Sequence, residues 1–372
     1  MTKKIRHVLG ISGGKDSAAL AIYVKTKYPT LDLEFYTCDT GKELDETYQL
    51  IKNLEVYLGI NIKLLTGTTE SSEDPFDHFL KMYGGYLPSS NSRWCTKKLK
   101  LDPFERYVGD DPVVSYVGIR GDEDREGYIS TKNNIQSIFP FRRNIWSEDV
   151  VSKLLSNQSF ELINSIAKDI DFGKQQDKAN SILNNRLSPN YTQSQKLNTL
   201  LDLNIVGFNK LVFEFLKTTD YPLASESYFP LVDNDEILVR DDIFKILEES
   251  GVGVPAYYKQ LEFNVNSDNP KTGQYARSRS GCYFCFFQQK IEWVWLYEQH
   301  PELYTKAMQY EKDGYTWGQD ESLEELIQPE RIKKIKEDYI KKTEKKNNNK
   351  KSPYLLDILD DSESEGCAAC FI

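Results

Sequence analysis

The chain has 372 residues, of which 39% are hydrophobic and 28% are charged, so it can bury a core and is not disordered throughout. The formal net charge of −10 argues against a globally basic nucleic-acid-binding protein, and six cysteines are too few for a disulfide scaffold. The apolar runs fall far short of the about 18 residues that span a bilayer, and no signal-peptide cleavage site follows the first of them. We therefore expect a cytoplasmic protein without membrane contact.

Strand and helix patterns alternate over the first third of the chain. Strands separated by helices of this length predict an α/β fold with a doubly wound parallel sheet. In such sheets ligands bind beyond the carboxyl ends of the strands, where the strand order reverses. The predicted elements, in chain order, are strand Ile5–Ile11, helix Ser17–Tyr28, strand Leu31–Thr37, helix Lys42–Leu58, strand Asn61–Leu65 and strand Val113–Ile119.

The remainder of the chain changes in composition. Residues 151–220 are rich in Asn, Ser, Gln and Lys, Lys290–Tyr304 has helical spacing, and Lys333–Lys351 holds nine lysines against three acids. Such a charge run forms either a solvated helix face or a strip that contacts a partner or nucleic acid. The predicted parts are an α/β domain at 1–150, a helical insertion at 151–228, a helical region with a cysteine pair at 229–330 and a charged tail at 331–372.

The strongest motif is Ser-Gly-Gly-Lys-Asp-Ser at Ser12–Ser17, between the first strand and the first helix. Glycines allow a tight turn whose backbone N–H groups converge on phosphate oxygens, and the helix N-terminus adds a positive dipole end. Lys15 supplies a mobile cation. The motif is not a Walker A loop, because Leu9 and Asp16 stand where glycine and Ser or Thr would be required.

This segment resembles the PP-loop of the ATP pyrophosphatase family. Other segments resemble the phosphoadenosine phosphosulfate (PAPS) reductase-like branch of that family: Asp39–Gly41, Arg93–Pro103, Gly118–Arg125 and Ser280–Cys285. The resemblance implies that ATP is bound through its β,γ-pyrophosphate with the assistance of Mg²⁺ and is attacked at the α-phosphorus. The products would be an adenylylated substrate, or AMP, and pyrophosphate.

The resemblance and the chemistry of the side chains together predict which residues bind the nucleotide and which take part in catalysis. Arginines can grip phosphates in a bidentate manner, lysines can offset the charge of a leaving pyrophosphate, and Asp39 could hold Mg²⁺ or a ribose hydroxyl. The predicted nucleotide-binding residues are Ser12, Gly13, Gly14, Lys15, Asp16, Ser17, Asp39, Thr40 and Gly41. The predicted catalytic residues are Lys15, Asp16, Lys100, Arg120 and Arg125.

The cysteines allow three interpretations. Cys95, Cys282 and Cys285 could hold a [4Fe–4S] cluster with one open iron, as in some sulfur-transferring PP-loop enzymes. Alternatively, Cys367 and Cys370 could join Cys282 and Cys285 in a structural zinc site, or the late pair could act as a redox dithiol. Cys38 is expected to be packing or a fourth ligand.

The resemblance is closest to the sulfur-transfer proteins of Dnd- and Ssp-type DNA phosphorothioation in antiphage defence. It implies an ATP pyrophosphatase that adenylylates a substrate for sulfur transfer, with a cysteine desulfurase as donor, further defence subunits as partners and DNA as the indirect acceptor. Two alternatives stay open: a PAPS or adenosine phosphosulfate reductase, and a non-catalytic nucleotide-sensing subunit. The tail reads Gly-Cys-Ala-Ala-Cys and departs from the Glu-Cys-Gly-x-His of PAPS reductases, which weakens the first alternative.

Overall fold

The protein is built on a parallel five-stranded sheet. The computed structural model describes residues 3–68, 72–123, 130, 132–265, 270–312, 314–318 and 320–349, with side chains to residue 345. The strand order is β3-β2-β1-β4-β5, and a separate antiparallel pair is formed by β6 and β7. The strands are β1 Arg6–Gly10, β2 Leu33–Asp39, β3 Ile62–Thr66, β4 Val113–Tyr116, β5 Ile135–Ile138, β6 Leu261–Val265 and β7 Lys271–Tyr275.

Helices connect the strands and form most of the chain after β5. The α-helices are α1 Lys15–Lys27, α2 Asp45–Leu58, α3 Pro75–Met82, α4 Trp94–Thr96, α5 Asp102–Val108, α6 Glu148–Leu155, α7 Phe160–Ile166, α8 Gln176–Leu183, α9 Gln193–Leu203, α10 Ile205–Leu216, α11 Arg240–Glu249, α12 Lys290–Gln299, α13 Pro301–Met308, α14 Leu323–Leu326 and α15 Pro329–Asn349. A π-helical turn, Lys97–Leu101, joins α4 to α5. In the described part of the chain, no helix has the length and apolar character needed to cross a bilayer.

The predicted α/β fold class is confirmed. β1 pairs in parallel with β2 on one side and with β4 on the other. The chain therefore winds outward in both directions from β1, and the strand order reverses between β1 and β4. Because these strands are parallel, the carboxyl ends of β1, β2 and β4 lie at one edge, and ligands bind to such an edge where the strand order reverses.

The element boundaries differ from the predictions by a few residues. Helix α1 begins at Lys15 rather than at Ser17, so the Lys15 and Asp16 side chains belong to its first turn. Helix α2 begins at Asp45 rather than at Lys42, which leaves Thr40–Leu44 as a loop at the end of β2. The first turn of α1 therefore follows closely on the carboxyl end of β1, and the Thr40–Leu44 loop follows directly on that of β2.

Successive residues of the central strands enter different hydrophobic clusters. Leu9 of β1 packs with helix α1, whereas Val8 packs with Phe104 and Val108 of helix α5. This alternation is the period-two pattern of a sheet covered on both faces. Helices α6–α10 join the cluster that contains Leu9, so the segment predicted as an insertion shares its core with the sheet. The domain boundaries at 150 and 228 stay predictions.

A second hydrophobic cluster organises the chain beyond residue 257. It joins α3 and the β6–β7 pair to the aromatic helix α12 and to α15. Lys336 of α15 is buried, and its ammonium lies 2.6 Å from Glu298 Oε1. This lysine of the predicted charged tail therefore holds α15 against α12, whereas Lys334, Lys341 and Lys342 are not buried.

Candidate active site

The turn after β1 is closed by its own serines. The Ser12 amide donates to Ser17 Oγ at 3.1 Å, the two serine hydroxyls lie 3.1 Å apart, and Ser17 Oγ donates to the carbonyl of Gly14 at 3.1 Å. These bonds fold residues 12–17 into a compact turn at the N-terminus of α1. The amides at such an N-terminus form a site for an anion.

Glycine is required at position 13 for two reasons. Its φ of +70° lies in the left-handed region, and a Cβ at this position would lie 2.2 Å from Thr47 Cγ2. The first residue of the glycine pair thus lets helix α2 approach the turn closely. The turn is shaped by packing as well as by its own hydrogen bonds.

Three of the predicted catalytic side chains form one buried ion network. Lys15 Nζ lies 3.0 Å from Asp16 Oδ2, and Arg120 Nη1 lies 2.9 Å from Asp16 Oδ1. Arg120 also contacts Asp122 and Glu123, at 2.9 and 2.7 Å. The structure therefore joins the turn after β1 to the loop after β4, across the point where the strand order reverses.

Burial and neighbouring charge act in opposite directions in this network. Burial lowers the pKa of Lys15 despite the neighbouring Asp16 carboxylate. Burial also acts to lower the pKa of Arg120, but the negative charges of Asp16 and Glu123 have the larger combined effect, so the pKa of Arg120 is raised. A bound polyphosphate would supply negative charge to both cations, so these groups are arranged to gain from an anionic ligand.

Residues from the second hydrophobic cluster cover the turn. The Tyr257 hydroxyl donates to the carbonyl of Gly13 at 3.3 Å, and the Tyr258 ring lies 4.8 Å from the Lys15 ammonium. A Cβ at Gly14 would lie 2.5 Å from Ser280 Oγ. The sequence offered no local signal for these contacts, because they join positions more than 240 residues apart.

The end of β2 carries a second polar group. Asp39 Oδ1 accepts from the Gly41 amide at 2.8 Å and lies 2.9 Å from the Tyr48 hydroxyl. Thr40 Oγ1 donates to Glu43 Oε1 at 2.6 Å, and burial raises the pKa of Glu43. Glu43 was not among the predicted site residues, although it lies two positions after Gly41. The sequence signal that could have found it is an acid close to a strand end.

The late cysteine pair lies against this loop. Cys282 forms an antiparallel bridge with Glu43, and its Sγ lies 3.2 Å from Thr40 Oγ1. The Cys285 amide donates to the carbonyl of Cys282 at 3.2 Å, so both cysteines belong to one tight turn. Burial raises the pKa of the Cys282 thiol. A thiol is therefore held next to the predicted nucleotide-binding Thr40.

Lys100 belongs to the same neighbourhood. It lies in the π-helical turn after Cys95. Burial raises the pKa of both the Cys38 and the Cys282 thiol, and the positive charge of Lys100 opposes part of that rise. Cys38 Sγ lies 3.7 Å from the Lys100 carbonyl. π-helical turns are frequent at functional sites, which fits the position of this lysine.

A cavity of about 200 Å³ opens beside these groups. It is smaller than the roughly 300–1,000 Å³ that is usual for sites that enclose a whole ligand, so it can hold part of a nucleotide. Its polar lining includes Ser12, Asp39, Glu43 and Tyr48. The cavity thus connects the turn after β1 with the end of β2.

The described residues do not present an assembled metal site. Among them, no group of three or more His, Cys, Asp or Glu side chains is placed to hold a metal ion. Cys95 packs against the same hydrophobic cluster as Cys282 but does not complete such a group. The [4Fe–4S] cluster on Cys95, Cys282 and Cys285 therefore stays a prediction.

A magnesium ion needs fewer protein ligands than an iron–sulfur cluster. Mg²⁺ is commonly held by one or two carboxylates together with substrate phosphates, so it does not need a set of three protein ligands. Asp39 is such a carboxylate at the strand ends, in the lining of the cavity. Two predictions lie outside the described residues: the catalytic role of Arg125 and the participation of Cys367 and Cys370.

Comparisons with known proteins find similarity in the part of the chain that contains the sheet. Residues 6–159 match the model of the phosphoadenosine phosphosulfate reductase domain. This part of the chain is therefore similar to that domain, in the region where the motifs indicated a resemblance. The match does not reach the late cysteine pair.

The curated relatives are uncharacterized proteins. One from Methanocaldococcus jannaschii is 30% identical over 169 residues, which are 41% of this chain and 33% of the relative. Another from the same organism is 28% identical over 168 residues, 41% of this chain and 38% of the relative. A nin region protein of Escherichia phage lambda is 27% identical over 145 residues, 32% of this chain and 49% of that protein. The chain thus spans between a third and a half of the length of these relatives.

A solved structure also shows a partial likeness. The PAPS reductase from Candida auris, in a phosphate complex, is 17% identical with a TM-score of 0.30, and the match covers 38% of this chain and 66% of that one. A likeness this weak does not define the fold, which rests on the strand order described above.

Proposed function

We propose that this protein is an ATP pyrophosphatase that adenylylates a substrate for sulfur transfer. The observation that supports the proposal most strongly is that an anion-binding turn and a cysteine thiol lie at the same edge of the sheet. A glycine turn with the Lys15–Asp16–Arg120 network lies at the point where the strand order reverses, and a thiol from Cys282 reaches the adjoining loop at Thr40. The match of residues 6–159 to a domain of nucleotide and sulfur chemistry supports the same assignment.

The proposed first step is displacement at the α-phosphorus of ATP. An oxygen of the acceptor forms a bond to this phosphorus, the bond to the bridging α,β-oxygen breaks, and the electron pair leaves with pyrophosphate. Lys15 and Arg120 offset the charge of the transferring and departing phosphates, which is typically the largest contribution to catalysis of this kind. Lys100 lies toward Cys282 and would offset charge on that side of the site.

The proposed second step uses AMP as the leaving group. A cysteine desulfurase passes a sulfur atom to the Cys282 thiolate, which becomes a persulfide, and the outer sulfur of this persulfide attacks the activated atom of the acceptor while the electron pair of the broken bond leaves with AMP. The Cys285 thiolate then attacks Cys282 Sγ, so the bond from Cys282 Sγ to the transferred sulfur breaks and its electron pair stays with the sulfur on the acceptor. The Cys282–Cys285 disulfide that results is reduced by an external dithiol. The Cys282–Cys285 turn is the part of the described chain that could carry this sulfur, because it contains two cysteines and its Cys282 Sγ lies 3.2 Å from Thr40 Oγ1 of the nucleotide loop. Burial favours the neutral Cys282 thiol and raises its pKa, so sulfur delivery requires that its proton be removed.

The proposed setting is DNA phosphorothioation in the cytoplasm, with a cysteine desulfurase as sulfur donor and further defence subunits as partners. A net charge of −10 opposes tight DNA binding by the chain alone. DNA would therefore be the indirect acceptor, held by partner subunits and by a local basic strip.

Reversal of three lysine charges on α15 tests whether this basic strip binds DNA. The triple substitution of Lys334, Lys341 and Lys342 to glutamate should weaken binding to a DNA duplex. It should also flatten the slope of log Kd against log salt by about 0.9 for each phosphate that is no longer neutralised. Fluorescence anisotropy over a salt series measures the slope. Lys336 is left intact because its bond to Glu298 holds the helix in place. An unchanged slope would remove α15 as a DNA-binding element.

A true PAPS reductase is the second candidate, and the match of residues 6–159 favours it. Such an enzyme would take two electrons from an added dithiol and release sulfite from PAPS without cleaving ATP. Pyrophosphate release from ATP and sulfite release from PAPS are therefore measured on the same preparation. Pyrophosphate without sulfite supports the ATP pyrophosphatase, and sulfite without pyrophosphate reverses the assignment. Nucleotide binding with neither product supports the non-catalytic sensing subunit.

The iron–sulfur cluster is tested separately. An anaerobic visible spectrum with iron and acid-labile sulfide counts is recorded for the wild type, Cys282→Ala and Cys38→Ala. Iron that is lost in Cys282→Ala and kept in Cys38→Ala would establish the predicted cluster. A colourless protein that lacks iron and sulfide would remove the cluster and leave the ATP proposal standing.

A further inference from the structure

Arg277 is a buried cation that has no carboxylate partner among the described residues. This residue is 2% exposed, and its Nη2 donates to the carbonyl of Cys282 at 3.0 Å. Within the described part of the chain, its Nε and Nη1 have no hydrogen-bond partner. Burying a guanidinium in this way is strongly unfavourable unless an anion completes the arrangement.

Gln288, which follows the cysteine turn in the chain, also has buried side-chain atoms without partners among the described residues. This residue is 9% exposed, and neither its side-chain oxygen nor its side-chain nitrogen has a partner among the residues that the structure describes. Its backbone amide donates to the carbonyl of Cys285 at 2.9 Å. Two buried polar side chains with unmet hydrogen bonds are therefore fixed to the two cysteines of one turn. Such coincidences are rare in native proteins, where buried polar groups are nearly always satisfied.

The cysteine turn also has open space beside it for a bound group. No described atom lies within 4 Å of the position of a Cβ on Gly281, which stands between Arg277 and Cys282 in the chain. Nη1 and the second N–H of Nη2 share one edge of the Arg277 guanidinium and can donate to oxygens of one group, which is how arginine recognises phosphate and related oxyanions. The Gln288 side-chain amide can add a further donor.

We propose that Arg277 and Gln288 form an oxyanion subsite at the cysteine turn, for a phosphate-class group that is not part of the ATP tail. The Tyr257 ring centre lies 5.9 Å from the Arg277 guanidinium carbon, and the Tyr257 hydroxyl contacts Gly13. The subsite is thus separated from the glycine turn by one aromatic ring. Its assignment to the acceptor of the adenylyl group rests on the proposed function, whereas the binding of an oxyanion does not.

Inorganic phosphate is the probe, and thermal unfolding of the full chain is the readout. A ligand that binds the folded state raises the Tm as its concentration increases. We expect phosphate to raise the Tm of the wild type and of Lys15→Met, in which the glycine turn has lost its cation. We expect Arg277→Met to weaken the phosphate response of the wild type and to abolish the response that remains in Lys15→Met. We also expect its Tm in phosphate-free buffer to be at or above that of the wild type, because an unpaired buried charge has been removed.

The control is Arg186→Met, which removes an exposed arginine of an ion pair with Glu161 and should leave the phosphate response unchanged. If Arg277→Met does not fold, Gln288→Leu replaces it and should weaken phosphate binding several-fold. A response that vanishes in Lys15→Met but persists in Arg277→Met would overturn the proposal, since the glycine turn would then be the binding site. An unchanged response in Gln288→Leu, or no response in the wild type, would also overturn it.

Iron counts separate an oxyanion from a cluster. Loss of bound iron in Arg277→Met, with an unaltered phosphate response, would mean that the guanidinium serves cluster sulfur and would contradict the subsite. Pyrophosphate release from ATP is measured independently. A protein that binds phosphate through Arg277 but releases no pyrophosphate would keep the subsite and lose the proposed function.

Discussion

Exchange of Lys15 for methionine should lower the rate of pyrophosphate release from ATP by about 10²- to 10³-fold, the usual effect of removing one preorganised donor from a transition-state site. The Lys15 ammonium is buried at the first turn of α1, where it faces Asp16 and lies against the Tyr258 ring. Burial already lowers its pKa, so its charge is poorly solvated until a phosphate arrives. The loss should therefore fall on turnover more than on stability.

The matched control is Lys25→Met, the same substitution in the last turn of the same helix. It should leave turnover within about twofold of the wild type, because surface charges away from a site have small effects. Steady-state rates and Tm are measured for both variants. Equal rates in Lys15→Met and Lys25→Met would show that the lysine of the turn takes no part in the reaction.

Substitution of Gly13 by alanine should combine two penalties. A residue with a Cβ at φ +70° costs about 1–2 kcal/mol, and the Cβ would meet Thr47 Cγ2 at 2.2 Å, for which overpacking costs a further amount of about 1–3 kcal/mol. Helix α2 must then move away from the turn. We expect a large fall in the free energy of unfolding and a loss of ATP binding.

Two variants separate these penalties. Gly59→Ala has a similar φ of +60° with no described atom within 4 Å of its Cβ position, so it should lose only the backbone part. Adding Thr47→Ser to Gly13→Ala removes the clashing methyl group and keeps the hydroxyl that lies 3.2 Å from the Tyr257 hydroxyl. The double variant should recover stability and part of the ATP affinity. If Gly13→Ala lost no more than Gly59→Ala, the close approach of α2 would have no energetic role.

The sequence was informative wherever a local pattern decides the structure. Alternation in the strands and the glycines of residues 12–17 predicted β1, α1 and the turn between them. Parallel connections then predicted that Asp39 and Arg120 would approach this turn, because the carboxyl ends of neighbouring strands meet at one edge. The Asp16–Arg120 contact at 2.9 Å agrees with that expectation. Strand β5 was missed, since its four residues are all buried and show no alternation.

The sequence was uninformative where distant segments meet. The contact of Tyr257 with Gly13 and the bridge of Cys282 to Glu43 depend on how the second hydrophobic cluster packs against the sheet. No spacing within either segment encodes these partners. The unpaired nitrogens of Arg277 are a similar case in the described part of the chain, because a missing partner can be recognised only after burial is known.

The two halves of the site depend on each other physically. The glycine turn is covered by Tyr257, Tyr258 and Ser280, which belong to the same part of the chain as the cysteine turn. Movement of that segment would alter both the access of a nucleotide to the turn and the position of the Cys282 thiol. This coupling gives a physical reason for activation and sulfur delivery to occur in one protein.

The most direct test of the account follows the fate of ATP labelled on its γ-phosphorus. Cleavage between the α and β phosphorus atoms should place the label in pyrophosphate, with AMP or an adenylylated acceptor as the other product, and Lys15→Met should suppress this release. Label recovered as inorganic phosphate together with ADP would contradict the account, because the bond broken would then be the one between the β and γ phosphorus atoms.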